Sequence, residues 1–287
     1  MWSCRRHTHR PVELAFDKYG DKLDRRTSPL IILHGIFGHK SNWQSIARTL
    51  QQRLGTIIFT VDLRNHGDSP WCASMTYPEM TEDVRHFINE IVQREIGVRS
   101  CIHLLGHSMG GKIAMRLALE NRDTDLIRSL IIEDITPRSY SLLASFPRMI
   151  EAMKHIDLTR SRAEIERELA ATVSDRTTRL FLMMNLVTDR GRAQQRWRLN
   201  LDSIGRHLHE LRGAGVPNDG VFHGRCLFVS GALSQYVLDS DHPAILERFP
   251  NAEFSVIPRA SHWVHAGNPD DFVEAIVKFI RSVESAP

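Results

Sequence analysis

Short aliphatic runs recur along this chain, separated by longer stretches in which apolar residues return every third or fourth position. The runs LIILH (30–34), TIIFTVD (56–62), CIHLLG (101–106), SLIIED (129–134), CLFVSG (226–231) and AEFSVIP (252–258) read as strands. Unbroken apolar and β-branched residues suit strands buried on both faces. Helical spacing fills the stretches near 42–53, 79–96, 109–121 and 269–283. Strands alternating with helices predict an α/β fold, a mostly parallel sheet covered by helices on both faces.

One interval departs from the alternation. From Pro137 to about Pro217 the pattern is helical and offers no convincing strand, with Phe146, Met149, Ile150 and Met153 at helical spacing, and Ile165 and Leu169 likewise. An all-helical insertion between two strands reads as a lid at about 137–217, within one domain covering 11–287. Residues 138–215 hold 14 Lys/Arg against 9 Asp/Glu, whereas the whole chain is only +3. The lid charge reads either as solvated helix faces or as a surface favouring anionic lipid, a candidate for membrane-surface contact. A net charge of +3 gives no argument for nucleic acid. No apolar run approaches the ~18 residues of a membrane span. Cys4, Cys72, Cys101 and Cys226 are scattered, which suggests reduced thiols and a reducing compartment. Residues 1–10, MWSCRRHTHR, are basic and acid-free, and read as a transit-peptide stub or a solvated start. Oligomeric state leaves no signature.

The chemistry begins at HLLGHSMGGK (103–112), a G-x-S-x-G motif between a buried strand and a helix. That context defines a nucleophile elbow, where the chain turns sharply and lifts Ser108 off the sheet edge near the positive end of a helix. Gly106 and Gly110 relieve the crowding of such a turn. LHGIFGHK (33–40) follows another apolar strand, and its Ile36 N–H together with that of Met109 can form an oxyanion hole. In ASHWVHAGNP (260–269), His262 follows the last strand by a short loop and can act as general base for Ser108. His265 is a competitor that reads as a polar residue opening the final helix.

A histidine base needs an acceptor on its second nitrogen. The strand 226–231 breaks at Gly231, and about three residues on, where this order of motifs usually carries a carboxylate, the chain has Ser234. Three sources of the acid stand open: Asp134 at the end of SLIIED, Asp202 in RWRLNLDSI folding down from the lid, and the loop pair Asp239 and Asp241. A strand end fixes a side chain better than a lid does, which favours Asp134.

These motifs resemble the α/β-hydrolase superfamily. LHGIFGHKSNW, VDLRNHGDSP, LLGHSMGGKIAM, RWRLNLDSI and RASHWVHAGNPDDF are similar to the branch of α/β-hydrolase domain-containing protein 11 and the YbfF-type esterases, over essentially residues 11–281. VDLRNHGDSP and RWRLN narrow the resemblance to that branch. It implies the α/β-hydrolase fold, a serine ester hydrolase, and catalytic roles for Ser108 and His262, and it favours Asp134 working beside Ser234. Animal members of the branch are described as mitochondrial and as acting on acylglycerols, including sn-1 cleavage of diacylglycerol. The expected location is therefore the mitochondrial matrix, or the cytosol otherwise. The resemblance implies no metal and no organic cofactor, and a small-molecule or lipid ester as partner.

Competing chemistries weigh less. Epoxide hydrolases and dehalogenases of this fold need a carboxylate where Ser108 stands. No HExxH spacing supports zinc, and His207 and His209 read as solvated helix residues. Thioesterases, perhydrolases and carbon–carbon hydrolases share the serine elbow, and an acyl thioesterase is the alternative enzyme. A ligand-binding module on the same fold is the non-enzymatic alternative, but one would be expected to have lost Ser108 or His262. Phe146, Met149, Met153, Phe181, Met183 and Met184 read first as lid core and second as walls of an acyl tunnel.

Overall fold

The structure, a computed structural model, describes residues 10–21, 27–96, 101–120, 126–140, 145–188 and 195–285. The basic segment 1–10 lies outside the described residues except for Arg10. Seven strands form the main sheet: β1 (Phe16–Tyr19), β2 (Leu30–Leu33), β3 (Ile58–Val61), β4 (Ile102–His107), β5 (Ile127–Glu133), β8 (Arg225–Gly231) and β9 (Ala252–Ile257). Their spatial order is β1-β3-β2-β4-β5-β8-β9, parallel throughout except at β1, which pairs antiparallel with β3 through Phe16↔Val61 and Tyr19↔Ile58.

The continuous apolar runs have a simple cause. Alternate residues of β2 enter different cores, Leu30 and Ile32 on one face, Ile31 and Leu33 on the other. The first core closes against Trp43, helix Gln44–Leu54 and helix Pro269–Glu284. The second closes against helix Tyr77–His86 with its π-helical continuation Phe87–Val92, against helix Met109–Leu119, and against the lid. With every strand running parallel from β2 to β9, the carboxyl ends of β4, β5, β8 and β9 share one edge, where ligands of open α/β sheets gather.

The insertion between β5 and β8 contains helices Phe146–His155, Arg162–Leu169, Arg176–Met183, Leu201–Arg206 and Leu208–Arg212. It is not all-helical. A small antiparallel hairpin joins β6 (Leu186–Thr188) to β7 (Gln195–Trp197), pairing Leu186 with Trp197. Three-residue strands are too short for period-two alternation to stand out against the helical spacing around them. β1 was equally invisible, because all four of its residues are only half-buried at an edge.

Candidate active site

Ser108 occupies the single residue between β4 and helix Met109–Leu119, with φ 51° and ψ −114°. A residue with a side chain reaches this region only under constraint, at a cost on the order of 1–3 kcal/mol. The constraint is visible on both sides: Ser108 N–H donates to the Glu133 carbonyl at 3.0 Å, and Lys112 N–H to the Ser108 carbonyl at 3.1 Å. Two glycines permit the close approach. A Cβ on Gly106 would lie 2.3 Å from the Gly110 carbonyl oxygen, and one on Gly110 would lie 2.5 Å from that of Leu33.

The loop after β9 carries His262 to the same edge. Its Nε2 lies 3.1 Å from Ser108 Oγ, and its Nδ1 lies 2.7 Å from Asp134 Oδ2. Asp134, at the end of β5 and itself at φ 51°, is fully buried. Its second oxygen accepts the Gly231 N–H at 3.2 Å, and the Ser234 hydroxyl donates to Oδ2. Ser234 therefore binds the carboxylate that the neighbouring strand supplies. The remaining acid candidates lie elsewhere. Asp202 does not fold over the site: its side chain is 74% exposed and paired with Lys154 at 2.8 Å, because it sits in the first turn of helix Leu201–Arg206 with its carboxylate toward solvent. Asp241 pairs with Arg138 at 2.9 Å and accepts the Leu238 N–H, and Asp239 opens the short 3₁₀ turn Asp239–Asp241. A serine–histidine–carboxylate chain of this geometry can take the proton from the serine hydroxyl and stabilise the imidazolium that results.

Ile36 and Met109 both border a small crevice beside Ser108. Ile36 sits in a tight turn closed by Gly38 N–H on the Gly35 carbonyl at 3.0 Å. Met109 N–H belongs to the first turn of its helix and has no intrahelical acceptor. Lys112, buried at the far end of that crevice, donates from Nζ to the carbonyls of Arg138 (3.0 Å) and Gly213, where the chain leaves for the lid and returns from it. Burial, helped by the charge of Arg138, pushes Lys112 down to about 7.

Two features of the site escaped the sequence. Tyr236 stacks on the His262 imidazole, ring centroids 3.8 Å apart and 17° from parallel, with its own hydroxyl raised to about 12 by burial and by the Asp134 charge. A second polar cluster lies beneath. Glu133 Oε1 accepts both His265 Nδ1–H at 2.7 Å and His265 N–H at 2.9 Å, while His107 Nε2 lies 3.0 Å from the His262 carbonyl oxygen. His265, read from sequence as a polar residue opening the final helix, is buried on Glu133 and against Trp43 in the short helix Val264–Gly267 just before it. His107, Glu133 and His265 are each adjacent or near in sequence to Ser108, Asp134 and His262, and that adjacency was the available signal. Among the described residues they are also the one trio of metal-capable side chains whose ligand atoms converge; His107 Nε2, His265 Nδ1 and Glu133 Oε1 make the hydrogen bonds just given, while Glu133 Oε2 is buried without a partner. Burial would raise Glu133, but His265 and His107 hold it below the usual carboxylate range, and burial drives His107 down to about 3.

Above Ser108 and His262 the lid encloses a cavity of about 260 Å³ walled by Phe37, Phe146, Met149, Phe181, Leu182 and Trp263. The six lid residues named from sequence divide: Phe146, Met149 and Phe181 face this cavity, Met153 and Met183 are packed in the core, and Met184 is exposed. His207 bonds the Ser203 carbonyl within its helix, and the His209 side chain is exposed.

Comparison with known proteins bears on the family and the fold. The profile of the alpha/beta hydrolase family matches residues 30–275. The sn-1-specific diacylglycerol lipase ABHD11 of Danio rerio is 41% identical over 281 residues, covering 96% of this chain and 84% of that protein. Esterase YbfF of Escherichia coli is 31% identical over 260 residues, covering 88% and 93% of the two chains. Among solved structures, a marine microorganism esterase superposes with a TM-score of 0.84 at 35% identity, over 93% of this chain and 99% of its own.

Proposed function

This chain belongs to the alpha/beta hydrolase family and is a carboxylic ester hydrolase, and we propose that Ser108, His262 and Asp134 are its catalytic triad and acylglycerols its substrates. The observation that carries the proposal is the unbroken chain Ser108–His262–Asp134, at 3.1 and 2.7 Å, opening into an apolar cavity under the lid.

His262 Nε2 takes the Ser108 proton as Oγ adds to the ester carbonyl carbon. The carbonyl oxygen becomes an oxyanion held by the N–H groups of Ile36 and Met109, each such donor being worth ~3 kcal/mol of transition-state stabilisation. Asp134 keeps Nδ1 protonated, so that Nε2 is the basic nitrogen. The new imidazolium returns its proton to the leaving alcohol oxygen, the C–O bond breaks, and the acyl group stays on Ser108. Water then repeats the sequence with His262 as base, releasing the fatty acid and the free serine. Ser234 and Gly231 hold the two carboxylate oxygens of Asp134, and Tyr236 supports the imidazole from its face.

The acyl chain lies in the cavity walled by Phe146, Met149 and Phe181, where apolar surface replaces water. Leu180 and Met184 are exposed on the lid beside that cavity, on the segment with the chain's positive excess. Contact of this face with an anionic lipid surface belongs to the same proposal. No helix among the described residues is long and apolar enough to cross a membrane. The test is release of fatty acid from diacylglycerol labelled at sn-1 or sn-2, with acyl-CoA alongside. Cleavage at sn-1 that vanishes in Ser108→Ala is expected. A preference for acyl-CoA over every oxygen ester would replace the acylglycerol assignment with a thioesterase.

A further inference from the structure

VDLRNHGDSP and RWRLN, the two segments that set this branch apart, supply no member of the triad. In the fold they meet. Asn200 N–H donates to the Asn65 carbonyl at 3.0 Å, and Asn200 Nδ2 to Asn65 Oδ1 at 2.9 Å. Leu199 forms an isolated antiparallel bridge with His66, and Arg198 N–H donates to the Asn185 carbonyl at 2.9 Å. The lid residue Asn185 and the loop residue His66 then converge on one backbone unit, Phe37.

Phe37 is the third residue of the tight turn Gly35–Gly38 and follows Ile36 directly. Its φ of 61° lies in the left-handed region, which a bulky residue occupies only when its surroundings hold it there. Asn185 Nδ2–H donates to the Phe37 carbonyl at 2.8 Å, and Phe37 N–H donates to His66 Nε2 at 3.3 Å. His66 can accept because its Nδ1–H serves the Arg64 carbonyl at 3.0 Å, and burial pushes it down to about 4, leaving it neutral. The Phe37 ring packs on Phe146 of the lid with centroids 5.3 Å apart. Asn185 is fully buried, yet its Oδ1 has no hydrogen-bond partner. A buried, half-satisfied amide costs stability relative to an apolar residue of its shape. Stability is therefore not what Asn185 supplies; its amide nitrogen also lies 3.3 Å from the Leu182 carbonyl, but the shorter bond crosses from the lid to the turn.

We propose that Asn185 and His66 are positioning residues of the oxyanion turn, so that seating the lid and aiming the Ile36 N–H are one event. The inference rests on the reading of Ile36 as an oxyanion donor. When the lid lifts, Asn185 leaves the Phe37 carbonyl and Leu199 leaves His66. The turn then loses what keeps Phe37 in the left-handed conformation, and the donor beside it loses its aim. A catalytic centre that forms only under the closed lid also forms only when water has been displaced from the cavity.

The test uses the full-length protein with Asn185→Leu, which keeps the volume and removes the donor. Loss of alignment at one oxyanion donor is expected to lower kcat for p-nitrophenyl octanoate about tenfold, with KM within about twofold. The inhibition constant of an octyl trifluoromethyl ketone, whose adduct on serine carries an oxyanion, should rise by the same factor as kcat falls. Unchanged kcat, or a fall in kcat with full ketone affinity, overturns the proposal. A second measurement needs no variant. Coupling between two sites is reciprocal, so filling the oxyanion hole with a phosphonate adduct on wild-type Ser108 should slow amide exchange in lid residues 176–188 and 195–204. An adduct on Ser108 that leaves lid exchange unaltered overturns this inference alone, whereas absence of any adduct on Ser108 would overturn the catalytic reading beneath it.

Discussion

Replacing Asp134 by asparagine changes one atom of its side chain and should cost nearly all of the activity. In the native site Oδ2 receives two donors, His262 Nδ1–H and the Ser234 hydroxyl, while Oδ1 receives the Gly231 N–H. An asparagine can present only one oxygen. Turning its NH₂ toward Gly231 would set donor against donor on a rigid backbone, so the oxygen stays there and the NH₂ faces His262. Ser234 can rotate to accept from that NH₂; the imidazole cannot adapt without moving its proton to Nε2. His262 then faces Ser108 with an N–H where a lone pair is needed. A tautomer trapped in this way lowers kcat by ~10⁴ in the serine protease precedent, about 5 kcal/mol of transition-state free energy. The assay is steady-state hydrolysis of a p-nitrophenyl ester, with a fluorophosphonate titration to count intact serines. Asp202→Asn is the control: its pair with Lys154 is solvent-exposed and screened, and it touches nothing in the site. Asp134→Asn within tenfold of wild type, or collapse of Asp202→Asn, would refute the assignment of the acid.

Further outcomes follow from the packing and the charges. Gly106→Ala sets a methyl 2.3 Å from the Gly110 carbonyl oxygen, and because the clash is with backbone it should cost stability at the upper end of the overpacking range, about 3 kcal/mol, read as a lowered melting temperature; an unchanged melting temperature would contradict the elbow geometry. Lys112 is held down to about 7, so below that pH native and unfolded chains both carry the charge and its burial cost is fully present. As pH rises above 7 the native form sheds the proton first, and the cost fades until the unfolded lysine also titrates near 10. Lys112→Met should therefore gain most on wild type at pH 6 and lose that advantage, on the order of 5 kcal/mol, toward pH 10; parallel stability curves from denaturant titrations across that range would argue against a depressed lysine. Met149→Trp adds bulk to the cavity under the lid and should depress kcat/KM for octanoyl esters far more than for acetyl esters, and an equal effect on both would put the acyl chain elsewhere.

Much of this molecule was legible before folding, and the reason is physical. Strands β2, β3, β4, β5 and β8 are buried on both faces, or nearly so, and an unbroken aliphatic run of that length fits poorly anywhere but inside a covered sheet; β9, a half-exposed edge strand, was legible from its β-branched and aromatic residues between turns. Ser108 and Gly106 were readable because a strained strand-to-helix turn admits few residue types. Edge strand β1 and the hairpin β6–β7 were not, since short half-exposed strands carry no distinctive period. The acid could be narrowed but not chosen from sequence, because Asp134 is brought to His262 by the pairing of β5 with β8, a tertiary fact. Tyr236 and the Glu133–His265 pair were hidden for the same reason. Their side chains acquire meaning only when the β8 and β9 loops come together over the sheet edge.

If Ser108 carries the acyl group in turnover, the acyl-enzyme can be trapped on it. Wild-type protein would be mixed with a p-nitrophenyl octanoate excess, quenched in acid within the first turnovers, digested, and mapped by mass spectrometry. An octanoyl adduct is expected on the peptide containing Ser108, absent in Ser108→Ala, which should also release no p-nitrophenol above background. An adduct on another residue, or undiminished turnover in Ser108→Ala, would contradict it.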